Sequence, residues 1–379
     1  MDQAKTALSM SGGGARAAYQ VGVLRYIAKK YPDFFPSIIT GVSAGAVNAA
    51  HLASHQGDFK ASTDDLYNLW RELKIENVFE VSSSSLLMSF LKWGSRFVLG
   101  GSNVAPKTKS LLDCSPLREY FADKLQTDAN GVIIGIDENI KRQRLQVLGI
   151  TTSSYTVGQS MTWTHGYNPD PWVRPTRVSI DKKITIEHIM ASAALPLIFP
   201  AVKLDNQWHG DGGIRLIAPL SAPMHYGADK ILAISTRRSH LKRMEDMEPM
   251  IDDYPPTAQI IGSILNAVFL DVFDYDAANM KRLNELHEFL PPEQQEKLNR
   301  TEVFVMRPSQ DLAKIAHELE LKLPSGFRYF VGGFGTKETK SPDSLSMLMF
   351  FPEYTTRLME LGEADAEARS EEIEAFLAS

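Results

Sequence analysis

Apolar and polar positions follow two periods along the 379-residue chain. Residues 5–11 (KTALSMS) form a short apolar run and predict a strand, which Gly12, Gly13 and Gly14 interrupt. Over residues 15–30 the spacing becomes three and four, with Ala17, Val21, Leu24 and Ala28 on one face, and Tyr31-Pro32 ends that helix. Residues 37–42 (SIITGV) are a second, β-branched strand, and residues 44–54, rich in Ala, Val and Leu, predict a second helix. Strand, helix, strand, helix at this spacing is a βαβ unit, hence a parallel sheet with right-handed crossover. Further strands are expected at residues 144–152, 161–165, 202–204, 230–236 and 302–306. Thr185 is placed to cap a helix through Ala194 that Pro196 terminates. Residues 259–288 are helical in pattern, with Ile260, Ile261, Ile264, Leu265, Val268, Val272 and Phe273 in helical register. Ser309 is expected to cap a helix reaching about residue 323, with more helix after Asp343 and Asp365. The fold class is α/β: a central, mostly parallel sheet flanked by helices, over residues 1–308, with a C-terminal helical extension over residues 309–379 packed on it.

Composition narrows the functional classes. A chain with 44% hydrophobic and 23% charged residues buries a large core and shows no bias toward disorder. Its net charge of -6 argues against a nucleic-acid binder held by bulk electrostatics. A lone cysteine, Cys114 in LLDCSPL, excludes a disulfide framework and reads as a small buried hydrophobe. The N-terminus lacks the charged and apolar regions of a signal peptide. The longest uncharged runs, residues 189–202 and 257–270, are shorter than the ~18 residues a bilayer requires. A cytoplasmic protein is expected.

Two glycine-rich turns carry the candidate chemistry. Gly41-Val42-Ser43-Ala44-Gly45 is a G-x-S-x-G between a strand and a helix, the context a nucleophile elbow demands. Ser43 then projects at a helix N-terminus, where backbone N–H groups favour developing negative charge. The alternative is a serine that serves only as an N-cap. The Gly12-Gly13-Gly14 loop ends the first strand, so a parallel sheet brings it to the same edge as Ser43, where ligand sites collect. Its amides suit an oxyanion formed when Ser43 attacks a carbonyl. A dinucleotide fingerprint fits less well, because Ala17 stands where the third glycine of G-x-G-x-x-G belongs. A P-loop is excluded by the missing Gly-Lys-Ser/Thr.

A nucleophilic serine needs a base. Among the nine histidines only His209 lies in a Gly-flanked turn, within Trp208-His209-Gly210-Asp211-Gly212-Gly213. Asp211, held among three glycines after an apolar run, is a carboxylate able to take the Ser43 proton directly. Desolvation would raise it from a reference pKa of about 3.9 toward the range a base needs. The alternative for Asp211 is an ordinary turn aspartate.

With these residues in view, the sequence resembles the patatin-like phospholipases. SGGGARAAYQVGVL, GVSAG, ASAALPLIFP (residues 191–200) and Asp211-Gly212-Gly213 look like four ordered blocks of that family, spanning just over half the chain. The resemblance implies a catalytic domain over residues 1–308 with a three-layer fold related to α/β-hydrolases. It also implies a Ser43–Asp211 dyad without histidine, an oxyanion hole from Gly12, Gly13 and Gly14, and a phospholipid or lysophospholipid substrate. Gly41, Gly45, Gly212 and Gly213 belong to the supporting motifs. Arg16 falls where the family carries Arg or Lys; bracing the loop, meeting a lipid headgroup, or forming a surface salt bridge are its open roles. Ala17 departs from the family's usual glycine, which bears on substrate preference more than on folding. Ser192 reads as a small packing residue.

Between Glu80 and Asp113 there is no acidic residue, while Lys92, Arg96, Lys107 and Lys109 lie among Leu86, Leu87, Phe90, Trp93 and Phe97. This composition suits either an interfacial lid over Ser43 (residues 80–112), touching a membrane surface transiently, or a helical insertion packed on the core. The stretch SGFRYFVGGFG, residues 325–335, reads as a loop or hairpin against the helical tail. No cofactor or metal is implied, since the chain has neither H-E-x-x-H nor a Cys/His cluster. Two other classes stay open: a Ser-His-Asp esterase or thioesterase using His225, His240, His287 or His317, and a non-catalytic lipid-binding module.

Overall fold

The computed structural model describes residues 4–80, 112–238, 272–295, 300–323 and 343–378, together with residues 110, 260, 327 and 328. The interfacial segment of residues 81–109 lies outside the described residues. So does most of the helical pattern before residue 272 and of residues 325–335.

The chain enters through β1 (Thr6–Met10), a 3-10 turn (Gly14–Ala17) and α1 (Ala18–Lys30), so the first expected helix starts with a tighter turn. Strand β2 (Ile38–Val42) leads into α2 (Ala44–Ser54), as the apolar pattern predicts. Asp58 then caps α3 (Phe59–Glu72) by accepting the Ala61 N–H at 2.7 Å. Short helices α4 (Ile75–Val78), α5 (Ser115–Lys124) and α6 (Ile134–Lys141) precede β3 (Val147–Ser154), β4 (Ser160–Gly166), β5 (Val173–Arg174) and β6 (Arg177–Asp181). Helix α7 (Ile186–Ser192) follows its expected cap Thr185, whose N–H donates to His188 Nδ1. Next come β7 (Val202–Leu204), β8 (Gln207–Asp211), α8 (Ser221–His225), β9 (Lys230–Ile234), α9 (Val272–His287), α10 (Pro292–Gln295) and β10 (Glu302–Met306). The C-terminal helices are α11 (Leu312–Leu319), α12 (Asp343–Leu348), α13 (Pro352–Ala368) and α14 (Ser370–Ala378). Asp311, not Ser309, caps α11, accepting the Ala313 N–H at 2.9 Å; the Ser309 N–H is instead held by Asp365.

The sheet runs β10-β9-β1-β2-β3-β4-β6-β5, with β8 pairing both β3 and β7. From β10 to β3 all pairs are parallel, whereas β4, β7 and β8 bring in antiparallel pairing. Because side chains alternate along a strand, Leu8 and Met10 enter one core while Ala7 enters the other. The larger core takes in α1, α2, α3 and α13; the smaller gathers Leu220, Tyr226, Phe273 and Met280 on the opposite face. Helices on both faces of a mostly parallel sheet give the expected three layers.

Helix α13 meets α1 at very close range. A Cβ on Gly22 would stand 1.9 Å from the Met359 carbonyl oxygen, and one on Gly362 would stand 2.2 Å from that of Tyr19. Arg25 of α1 ties the layer together, donating to Asp64 of α3 and Glu363 of α13, each at 2.8 Å.

Candidate active site

Strand β3 sets the site by pairing with two strands in succession. Val42, the last residue of β2, pairs with Thr151, and Asp211, the last residue of β8, pairs with Thr152. Ser43 and Asp211 are 168 positions apart in sequence yet leave neighbouring rungs of one strand. Ser43 has φ 56° and ψ -130°, a sharp bend of the kind a nucleophile elbow imposes. The flanking glycines are sterically required: a Cβ on Gly41 would lie 2.4 Å from the Gly45 oxygen, and one on Gly45 would lie 2.5 Å from that of Ser11.

Asp211 is fully buried. Its Oδ1 accepts the Gly213 N–H at 2.9 Å, and its own N–H donates to the Ala194 carbonyl at 2.9 Å. Burial pushes the carboxyl pKa up to about 7, while hydrogen bonding from the Ser43 side chain and the Gly213 amide pull it down. Oδ2 is buried without a well-aligned partner. A Cβ on Gly212 would stand 2.1 Å from the Thr151 carbonyl oxygen, so only glycine lets this turn pass so close to β3.

The glycine loop lies against the serine. A Cβ on Gly12 would come within 2.9 Å of Ser43 Cβ, and Gly13 and Gly14 adopt φ of 138° and 57°. Thr236 holds the loop from β9's end: its hydroxyl donates to the Gly12 carbonyl at 2.7 Å, and its N–H to Ser11 Oγ at 3.1 Å. Gln20 donates to the Ser11 carbonyl at 2.8 Å and accepts from Asn48, which accepts in turn from Trp70 Nε1 at 2.7 Å.

Arg16 is buried, and its Nε donates to Ser346 Oγ at 2.7 Å. This contact favours a brace between the glycine loop and α12 over a surface salt bridge. Ser192 is more than a packing residue. Its hydroxyl accepts the backbone N–H of Ser43 at 2.9 Å and donates to the Thr151 carbonyl at 2.6 Å. Nothing local in ASAALP signals this, because both partners, the elbow after β2 and a residue of β3, are distant in sequence.

The candidate triad histidines are engaged elsewhere. His225 packs edge-on against Trp172, His287 bonds the Gln295 carbonyl, and His317 pairs with Glu320. His240 lies outside the described residues. His209 faces Thr152 through Nδ1 at 3.0 Å, and that hydroxyl also accepts from Trp163 Nε1 at 2.8 Å, fixing β8 against β3. Cys114 is buried and its thiol pKa is pushed up, as suits a hydrophobe rather than a nucleophile. Among the described residues no helix is long and apolar enough to cross a membrane, and no cluster of three or more His, Cys, Asp or Glu is placed to hold a metal ion.

Beside Ser43 opens an apolar pocket walled by Val47, Leu69, Leu73, Phe121, Phe199 and Phe350. Lining of that kind suits a hydrocarbon tail more than a sugar or a peptide.

These features place Ser43, at a strand-to-helix elbow, and the buried Asp211 on neighbouring rungs of β3 within a three-layer α/β fold. The chain belongs to the patatin-like phospholipase family, whose model matches residues 8–224, more than half of the sequence. No curated protein matches it. Among solved structures, human GIVD cytosolic phospholipase A2 in complex with methyl gamma-linolenyl fluorophosphonate and terbium chloride is 15% identical, with a TM-score of 0.44, covering 98% of this chain and 59% of that one. VipD from Legionella pneumophila is 12% identical, with a TM-score of 0.32, covering 94% of this chain and 67% of that one. The chain spans 59–67% of the length of these structures.

Proposed function

We propose that the protein is a lipid acyl hydrolase that cleaves carboxylic esters of phospholipids or lysophospholipids through a Ser43–Asp211 dyad. Ser43 Oγ attacks the acyl carbonyl while its proton passes to the Asp211 carboxylate. Amides of Gly12, Gly13 and Gly14 receive the charge of the tetrahedral oxyanion. Collapse expels the alcohol of the lipid, protonated by Asp211, and leaves an acyl-serine. A water molecule, deprotonated by Asp211, then attacks that ester; fatty acid departs and Ser43 regains its proton.

One observation carries the reading: Asp211 is a fully buried carboxylate on the rung of β3 beside the one that Val42, next to Ser43, occupies, and burial raises its pKa to about 7. A turn aspartate on the surface would have neither property. In this reading residues 1–308 form the catalytic unit and residues 309–379 a helical extension packed on it. Residues 80–112 form the contact with a lipid surface, and the enzyme works in the cytoplasm at membrane peripheries.

The test is incubation of purified protein with mixed lipid extract, beside Ser43→Ala and Asp211→Asn, with identification of released fatty acids and lysolipids. Release by the parent chain alone, with fluorophosphonate labelling lost in Ser43→Ala, is the expected outcome. Equal release by Asp211→Asn, or loss of cleavage on substituting His225, His240, His287 or His317 by Ala, would overturn the dyad.

A further inference from the structure

The segment Ser346–Phe350 lies far beyond the residues that carry the family resemblance, yet it touches both halves of the site. At one end, a Cβ on Gly14 would stand 2.1 Å from the Met347 carbonyl oxygen, and Ser346 accepts from Arg16. At the other end, Phe350 lines the apolar pocket that contains Ser43 and Gly14. The Phe350 ring stacks on Trp70, with centroids 6.3 Å apart and planes inclined by 20°. Trp70 is anchored from two sides: its indole donates to Asn48, and its carbonyl accepts from the Thr355 hydroxyl at 3.1 Å. The pocket is thus bounded by one ring held rigidly by the catalytic half and one delivered by the C-terminal helices.

We propose that Phe350, stacked on Trp70, is the specificity-determining stop of the acyl pocket and sets the longest acyl chain that Ser43 can process. This assignment rests on the acyl-hydrolase reading of Ser43 and deepens it by naming the wall that measures the substrate's tail. The chemistry of recognition is dispersion and water exclusion alone. An aliphatic tail gains with each methylene until it meets the stacked rings, and a further methylene displaces a close-packed ring. The segment that carries Phe350 also buttresses the glycine loop, so pocket depth and loop geometry are tied to one stretch of chain.

The experiment measures kcat/KM for p-nitrophenyl esters of four to sixteen carbons in the parent chain, Phe350→Ala, Phe350→Leu and Phe350→Trp. Phe350→Ala is expected to move the optimum longer by about two to four methylenes, the depth of one phenyl ring, and to raise the long-to-short ratio roughly tenfold. Phe350→Leu shifts it less, and Phe350→Trp shortens it. A parallel arm follows displacement of cis-parinaric acid by saturated fatty acids of the same lengths from Ser43→Ala and from its Phe350→Ala double variant. An unchanged length profile in folded variants, or an equal loss at every length, overturns the assignment. Where the binding optimum shifts but the parent chain cleaves no ester, the acyl-hydrolase reading falls and the pocket assignment stands. Where cleavage depends on Ser43 and the profile stays flat, the reverse holds.

Discussion

The backbone N–H of Ser43 donates to the hydroxyl of Ser192 at 2.9 Å, and that hydroxyl donates onward to the Thr151 carbonyl. One side chain therefore links the elbow, helix α7 and strand β3. It is fully buried, so removing its oxygen leaves a donor and an acceptor without partners. Ser192→Ala is expected to lower stability by about 1–3 kcal/mol in urea unfolding. It should reduce kcat on a soluble ester more than it changes KM, because the elbow and not the pocket is disturbed. Wild-type kcat in the variant would show that the bond does no more than pack.

The raised pKa of Asp211 gives two pH dependences of definite sign. In the proposed dyad Asp211 acts as base and must be ionised, so Ser43-dependent cleavage of a neutral ester is expected to rise with pH, with a midpoint at about 7. For stability the sign reverses. An acid whose folded pKa lies above its ordinary value of 3.8 loses no stability below that value. Stability then falls as pH rises toward about 7, and stays level above it. Asp211→Asn removes the buried charge and is expected to be more stable than the parent at pH 8 by up to about 4 kcal/mol. Thermal unfolding at pH 5 and pH 8 reads the difference, which should shrink at the lower pH.

Gly12 and Gly14 should fail differently when a methyl group is added. Gly12→Ala sets a Cβ 2.9 Å from Ser43 Cβ, directly at the proposed nucleophile. Activity is expected to fall at least roughly a hundredfold, the scale of losing one oxyanion donor. Melting temperature should move little by comparison. Gly14→Ala meets the Met347 carbonyl at 2.1 Å from a backbone with φ 57°, so it should lower the melting temperature strongly. Circular dichroism melts beside ester kinetics separate the two.

The crossing of α1 and α13 gives a prediction remote from the chemistry. Gly22→Ala places a methyl carbon 1.9 Å from the Met359 carbonyl oxygen, which only a shift of the whole helix relieves. Overpacking of this kind costs about 1–3 kcal/mol or more. Equilibrium urea unfolding checks it; a shift below about 0.5 kcal/mol would mean that the helices separate without penalty.

Much of this was legible in the sequence where local pattern decides. Strand β10 and helix α2 fall on their expected residues, because an apolar run with β-branched valines and an Ala-rich segment mark their own boundaries locally. The glycines of both turns pointed to close backbone approach. Strand β8 escaped notice, since QWHGD carries no β-branched residue and exists by pairing with β3 and β7. Helix α3 did leave a signal, with Asp58 as cap and Phe59, Ser62, Thr63, Leu66, Leu69 and Trp70 buried at helical spacing. Ser192 and Phe350 gave none: each acts through partners brought together only by the completed fold.

Arg16 and Ser346 are separated by 330 positions and meet at 2.7 Å. A contact of that span cannot close until Ser346 has been translated, and loop-closure entropy makes it a late event of folding. The glycine loop thus waits for residues translated far downstream before this support arrives.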